Sequence, residues 1–193
     1  MKKVLYLMRH GQTLFNVRKK VQGWCDSPLT ELGRRQAEIA AKYFKDNSIS
    51  FDKAYSSTSE RACDTLEIVT KMPYTRLKGL KEWNFGTFEG ESEDLNPKLP
   101  YGDFFVQFNG EGEKEMQQRV AATCEEIMED SENNVVLAVS HGAACRGFMR
   151  YWNHTSSMDL KGRIGNCCIL KFEYENREFK LVEIINHDFN EIM

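Results

Sequence analysis

No apolar run in this chain approaches the roughly 18 residues that a membrane-crossing helix needs. A membrane partner is therefore not expected. The six cysteines (Cys25, Cys63, Cys124, Cys145, Cys167 and Cys168) include no C-x-x-C pair. A zinc site is accordingly not expected, and without a secretory pattern all six are read as reduced, mostly core residues. Charge of one sign is lacking too. Twenty-six Lys and Arg against 29 Asp and Glu leave a net charge of -3, which provides no broad basic surface for nucleic acid. Repeats, low-complexity tracts and linkers are missing, so residues 1–193 are expected to form one soluble globular domain, by default cytoplasmic. Histidine is scarce, only four in all, which gives weight to any pattern in which histidines recur.

Such a pattern is present. Val4-Leu5-Tyr6-Leu7-Met8 is an apolar run that stops at Arg9-His10-Gly11, and Val135-Val136-Leu137-Ala138-Val139 stops at Ser140-His141-Gly142. Short apolar runs bounded by turn signals read as buried strands. In open α/β sheets, ligands bind beyond the carboxyl ends of strands. Two strands that each end in His-Gly can aim both imidazoles at one ligand. An arginine fork suits phosphate oxygens, and an imidazole serves as nucleophile or acid/base. The pattern points to an anion site with a reactive histidine.

Between the two runs, residues 12–26 read as a polar loop that carries Asn16 and Gln22-Gly23 within reach of His10. Arg18-Lys19-Lys20 is either a solvated patch or a draw for an anionic substrate. Thr30 is expected to cap a helix whose apolar face runs through Leu32, Gln36, Ile39, Ala40, Tyr43 and Phe44. A second strand is expected over 51–55. Ser57-Thr58-Ser59-Glu60 fits a capping box, which puts Arg61 in a helix's first turn, a second anion-binding element. A short strand within 75–81 precedes Glu82, whose aromatic neighbours Trp83 and Phe85 suggest a partly desolvated carboxyl suited to general acid work. Residues 91–112, with Tyr101, Phe104, Phe105 and Phe108, read as an inserted lid or a satellite core. Helices are expected over 113–130 and 143–151, and a terminal hairpin over 166–174 and 179–185. Alternating strands and helices predict a three-layer α/β/α sandwich with a mostly parallel central sheet.

Taken together, Met8-Arg9-His10-Gly11, Asn16, Gln22-Gly23, Asp26-Ser27-Pro28-Leu29-Thr30, Ser56-Ser57 through Arg61-Ala62 and Thr65, Glu82 with Phe85-Gly86 and Glu89-Gly90, and Ser140-His141-Gly142 resemble the histidine phosphatase superfamily, the phosphoglycerate-mutase-like group. The likeness extends over essentially the full length, with Thr58-Ser59 and Asp64 departing from the usual pattern. It implies that His10 attacks phosphorus to form a phosphohistidine, and that Arg9, Arg61 and a protonated His141 neutralise the phosphoryl oxygens. Asn16, Gln22, Gly23 and Gly142 would assist in binding, and Glu82 would act as general acid and then base. No cofactor or metal is implied, and the substrate is a small phosphorylated molecule. Mutases of the family carry a longer insertion with extra arginines. Here residues 91–112 hold Lys98 as their only cation. A phosphatase is therefore expected, with a phosphoglycerate mutase and a non-catalytic binding protein as the alternatives; the oligomeric state stays open.

Overall fold

The computed structural model describes residues 2–156, 158 and 163–190. In chain order the elements are β1 (Lys3–Arg9), a short α1 (Leu14–Val17), α2 (Glu31–Asp46), β2 (Lys53–Ser57), α3 (Glu60–Val69) and β3 (Tyr74–Leu77). They continue with α4 (Glu113–Glu129), β4 (Val135–Ser140), α5 (Gly142–Tyr151), β5 (Ile169–Glu175) and β6 (Glu178–Ile185). The sheet order is β3-β2-β4-β1-β5-β6. The first four strands run parallel and the terminal hairpin adds antiparallel.

Side chains alternate across a strand, so β1 serves two cores. Leu5 and Leu7 join Val136, Ala138, Met116, Val120, Ala144 and Phe148 on the face covered by α4 and α5. Tyr6 and Met8 join Leu137, Val139, Ala37, Phe44, Ala62 and Leu66 beneath α2 and α3. Strands buried on both faces read as unbroken apolar runs, which is why β1 and β4 stand out in the sequence. The three layers follow as expected. Among the described residues no helix is long and apolar enough to cross a membrane.

Several boundaries differ from the sequence reading. The loop 12–26 contains α1, whose capping box joins Thr13 and Asn16. Strand β2 runs on through Ser57, so Ser57 does not cap α3; Ser59 does, with no side-chain bond. The Glu60 N–H is met instead by Asp26 Oδ2 at 2.5 Å. A carboxylate 34 residues upstream has displaced the local hydroxyl. Thr30 caps α2 as expected, accepting from the Gly33 N–H at 3.0 Å. Strand β3 ends at Leu77 and passes into a 3₁₀ turn over Lys78–Leu80. Within 91–112 the aromatics build a satellite core. Phe105 is fully buried, with ring centroids at 4.9 Å from Phe85, 5.1 Å from Phe104 and 5.4 Å from Tyr101 and Phe88.

Candidate active site

The parallel pairing of β1 with β4 sets Arg9 opposite Ser140, so the two His-Gly turns leave the sheet side by side. The His10 and His141 rings lie 5.3 Å apart between centroids. His10 is only 3% exposed. Its Nδ1 sits 2.7 Å from the Gly11 carbonyl, an acceptor, so the proton belongs on Nδ1 and Nε2 is left as an acceptor. Arg61 Nε donates to that Nε2 at 3.3 Å. Burial, then the charges of Arg61 and Arg9, hold the His10 pKa well below the usual histidine value. These surroundings hold the imidazole neutral.

Arg61 is fully buried and its other donors are spent on the loop before α2. Nη1 reaches Cys25 O at 2.9 Å and Asp26 Oδ1 at 2.8 Å, and Nη2 reaches Gly23 O at 2.7 Å. Arg9 Nη1 donates to Ile164 O at 2.5 Å, while its buried Nε has no partner in the protein. His141 Nε2 is 2.7 Å from Ser57 Oγ, and its buried Nδ1 is likewise unpartnered. Burial, then Arg61, His10 and Arg9, lower the His141 pKa well below its usual value. The protonated His141 implied by resemblance therefore does not describe this site without an anion; desolvation beside two guanidiniums outweighs it.

Glu82 is buried, with its carboxyl against the first N–H groups of α5. Its Oε1 accepts from Ala144 N at 2.7 Å and Trp83 N at 2.9 Å, and Oε2 from Ala143 N at 2.9 Å. The expected aromatic environment is on the other side of the chain. Trp83 and Phe85 turn into the satellite core, and the carboxyl meets backbone donors at a helix N-terminus. Gly142, the first residue of α5, lies against Arg9, so that a Cβ there would stand 3.3 Å from Arg9 Nε.

His10, Arg9, Arg61, Glu82 and His141 are thus brought to one place: an imidazole lone pair, two guanidiniums, a second imidazole and a carboxyl. Among the described residues no group of acidic, histidine and cysteine side chains is arranged to hold a metal ion. A histidine phosphatase family model, branch 1, matches residues 5–187. The chain belongs to the histidine phosphatase superfamily.

Among curated members, the chain is 40% identical to a 2,3-bisphosphoglycerate-dependent phosphoglycerate mutase of Buchnera aphidicola, over 55% of this chain and 48% of that one. It therefore spans about half the length of that relative. It is 32% identical to a broad-specificity phosphatase of Saccharomyces cerevisiae, over 78% of this chain and 71% of the other. Among solved structures, a phosphoglycerate mutase of Bacillus anthracis superposes with a TM-score of 0.82 at 27% identity, covering 94% of this chain and 92% of that one. A phosphoserine phosphatase of Entamoeba histolytica, solved with 3-phosphoglyceric acid, gives 0.78 at 28% identity, covering 95% and 97%.

The remaining residues singled out in the sequence sit around the core as struts. Asn16 Oδ1 accepts from Thr13 N at 3.1 Å and from Asn166 Nδ2 at 3.2 Å; the same Asn166 amide donates to His10 O at 3.2 Å. The Gln22 amide bridges Thr13 Oγ1 at 2.7 Å and Ser27 Oγ at 3.0 Å. The Gly23 N–H donates to Glu89 Oε2 at 3.2 Å, and a Cβ at Gly23 would lie 2.2 Å from Trp83 O. Only glycine fits there.

The sequence reading gave four supports of the site, Glu89, Ser57, Arg119 and Glu111, no part in holding it. Glu89 gathers the N–H groups of Gly23, Trp24, Cys25 and Phe85, and so fixes the loop whose carbonyls hold Arg61. Ser57 holds His141. Arg119, from α4, donates bidentately to Glu111 at 2.6 and 2.8 Å. The same guanidinium holds the carbonyls of Gly79, Lys81 and Glu82 at 2.9, 2.9 and 3.0 Å. Glu111 in turn accepts from Asn84 N at 3.0 Å, so the Glu82 segment is gripped on both sides. The single sequence cue for this pair was a helix arginine whose apolar neighbours face the core.

Proposed function

We propose that the chain hydrolyses small-molecule phosphomonoesters, without a metal ion, through a phosphohistidine on His10 Nε2. The observation that carries this reading is the pair of buried, unpartnered groups, Arg9 Nε and His141 Nδ1, beside a neutral His10 whose Nε2 meets Arg61. Buried polar atoms are nearly always satisfied, so unpartnered ones beside guanidiniums fit an anion that accepts from them. A phosphoryl group also offsets the desolvation that keeps His141 neutral.

In the first step Nε2 attacks phosphorus in line, the N–P bond forms and the ester P–O bond breaks. Glu82 gives its proton to the leaving oxygen. Arg9, Arg61 and His141 stabilise the equatorial oxygens, with Asn16 and the Gly142 backbone completing the cradle and Gln22 and Gly23 holding the loop behind Arg61. In the second step water attacks phosphorus, the N–P bond breaks, and Glu82 takes the water proton back. The chain works as one domain, residues 1–193, with 91–112 as the roof of the leaving-group side, and acts in the cytoplasm.

The test is hydrolysis of p-nitrophenyl phosphate in EDTA by wild type and His10→Ala. Activity confined to the wild type, with an acid-labile phosphoenzyme that the variant does not form, is expected. Equal activity in both proteins refutes the scheme. Identity to a mutase over half of the chain keeps one second reading in view. It is tested by 3-phosphoglycerate with its bisphosphate activator; isomerisation faster than phosphate release would establish it. Tight binding of phosphoesters with no turnover on any of them would establish the non-catalytic alternative.

A further inference from the structure

The side-chain amides of Asn16 and Asn166 have fixed orientations, because each meets a backbone group of known polarity. The Thr13 N–H can only donate, so the Asn16 atom at 3.1 Å from it is the oxygen Oδ1. The His10 backbone carbonyl can only accept, so the Asn166 atom at 3.2 Å from it is the nitrogen Nδ2. The contact between the two side chains, Asn166 Nδ2 to Asn16 Oδ1 at 3.2 Å, is then a donor meeting an acceptor. Both N–H groups of Asn166 are spent in this way, and both lone pairs of Asn16 Oδ1 are filled. The N–H pair of Asn16 is left over. Among the described residues nothing accepts from it.

One nitrogen therefore touches both the His10 backbone and the Asn16 side chain, which sets that amide beside the nucleophile. Asn166, expected within the terminal hairpin, stands in the turn before β5. Cys168 N closes that turn onto Gly165 O at 3.2 Å, and Cys167 takes a φ of 54°. This left-handed region is rare for a residue with a side chain, and it persists only where the surroundings impose it. The turn is bound to the site on both flanks. Cys167 N donates to His10 O at 3.3 Å, and Cys168 O accepts from Arg9 N at 3.0 Å. Ile164 O accepts from Arg9 Nη1 at 2.5 Å.

We propose that Asn166 is a positioning residue of the reaction: it sets the plane of the Asn16 amide so that the free N–H pair faces the phosphoryl oxygens. This rests on the reading of His10 as nucleophile and of Asn16 as part of the anion cradle. The bond from Thr13 fixes which end of the Asn16 amide turns inward, and the bond from Asn166 fixes its plane. Because the same nitrogen holds His10 O, donor and nucleophile keep their spacing through both steps. Pre-set donors of this kind cost no reorganisation when charge develops on the transferred group.

Orthovanadate, which adopts the five-coordinate geometry of a phosphoryl group during transfer, is titrated calorimetrically into four proteins: wild type, Asn166→Ala, Asn16→Ala and the double variant. Asn166→Ala should weaken binding about tenfold, the size of one hydrogen bond to a charged acceptor. The double variant should bind within about twofold of Asn16→Ala, because both changes remove the same donor. Unchanged binding in Asn166→Ala overturns the proposal. So does an equal loss on both backgrounds, which would mean that Asn166 acts on the His10 backbone alone. A measurement on the wild type needs no variant to fold. The side-chain amide signals of Asn16 should shift in NMR spectra when orthovanadate binds, and those of Asn166 should stay in place. Signals of Asn16 that do not move overturn the proposal as well. Failure of the phosphatase reading shows separately, as p-nitrophenyl phosphate hydrolysis that does not depend on His10.

Discussion

Arg119→Met removes the grip on the Glu82 segment without touching any group of the anion cradle. The guanidinium fills three carbonyls and both oxygens of Glu111, itself only 9% exposed at the side chain. Breaking a buried pair costs about 3–5 kcal/mol, and the 20% exposure of Arg119 places this one at the lower end, about 3 kcal/mol. Denaturant melts read that loss directly. The catalytic effect should depend on the leaving group. General acid catalysis contributes about 10²–10⁴-fold, so a displaced Glu82 should cost on the order of 100-fold on alkyl phosphates. p-Nitrophenolate leaves without a proton, so with that ester the loss should stay within about threefold. The assay is kcat across esters of rising leaving-group pKa, with a steeper dependence expected in the variant. Arg119→Met combined with Glu82→Gln should be scarcely worse than Glu82→Gln alone, because both remove the same function. A uniform loss across all esters, or full additivity in the double variant, would refute the view that Arg119 acts through Glu82.

Two other outcomes follow from the same geometry. Ser57→Ala removes the 2.7 Å contact to His141 Nε2; it should cost about 1 kcal/mol in stability and about tenfold in kcat, and Ser57→Thr should recover both. Burial and neighbouring arginines depress the pKa of His10 and of His141, so the unfolded chain takes up protons that the folded chain refuses. Stability should fall as pH drops below the unfolded value of about 6.5, by about 1.4 kcal/mol per pH unit for each histidine until its folded pKa is reached. Melting temperature against pH, in wild type and His141→Ala, checks this: the variant should lose part of the slope, and inorganic phosphate should flatten it in the wild type.

What the sequence disclosed follows from how local each signal is. Strands β1 and β4 were legible because burial on both faces writes an unbroken apolar run, and the His-Gly that ends each run marks the carboxyl edge of the sheet. The clustering of Arg9, His10, Arg61 and His141 was legible for a related reason, since each lies at a strand's end or a helix's first residues; Glu82, in irregular chain, was not marked that way. What the sequence concealed lies at long separation. Asp26 caps a helix that begins 34 residues later, Glu89 ties a loop 65 residues earlier, and Arg119 reaches back to carbonyls 37 to 40 residues away. A capping box is a local competitor for a helix's first N–H, and Ser57 matched its pattern. The hydroxyl accepts only a long 3.3 Å bond from the nearby Ser59 N–H, and its 2.7 Å partner is His141, 84 residues distant, which the parallel pairing of β2 with β4 brings near. The error therefore locates function. A residue that satisfies a local rule and is used elsewhere has been recruited by the site, and at Ser57 it is the second imidazole that recruits it.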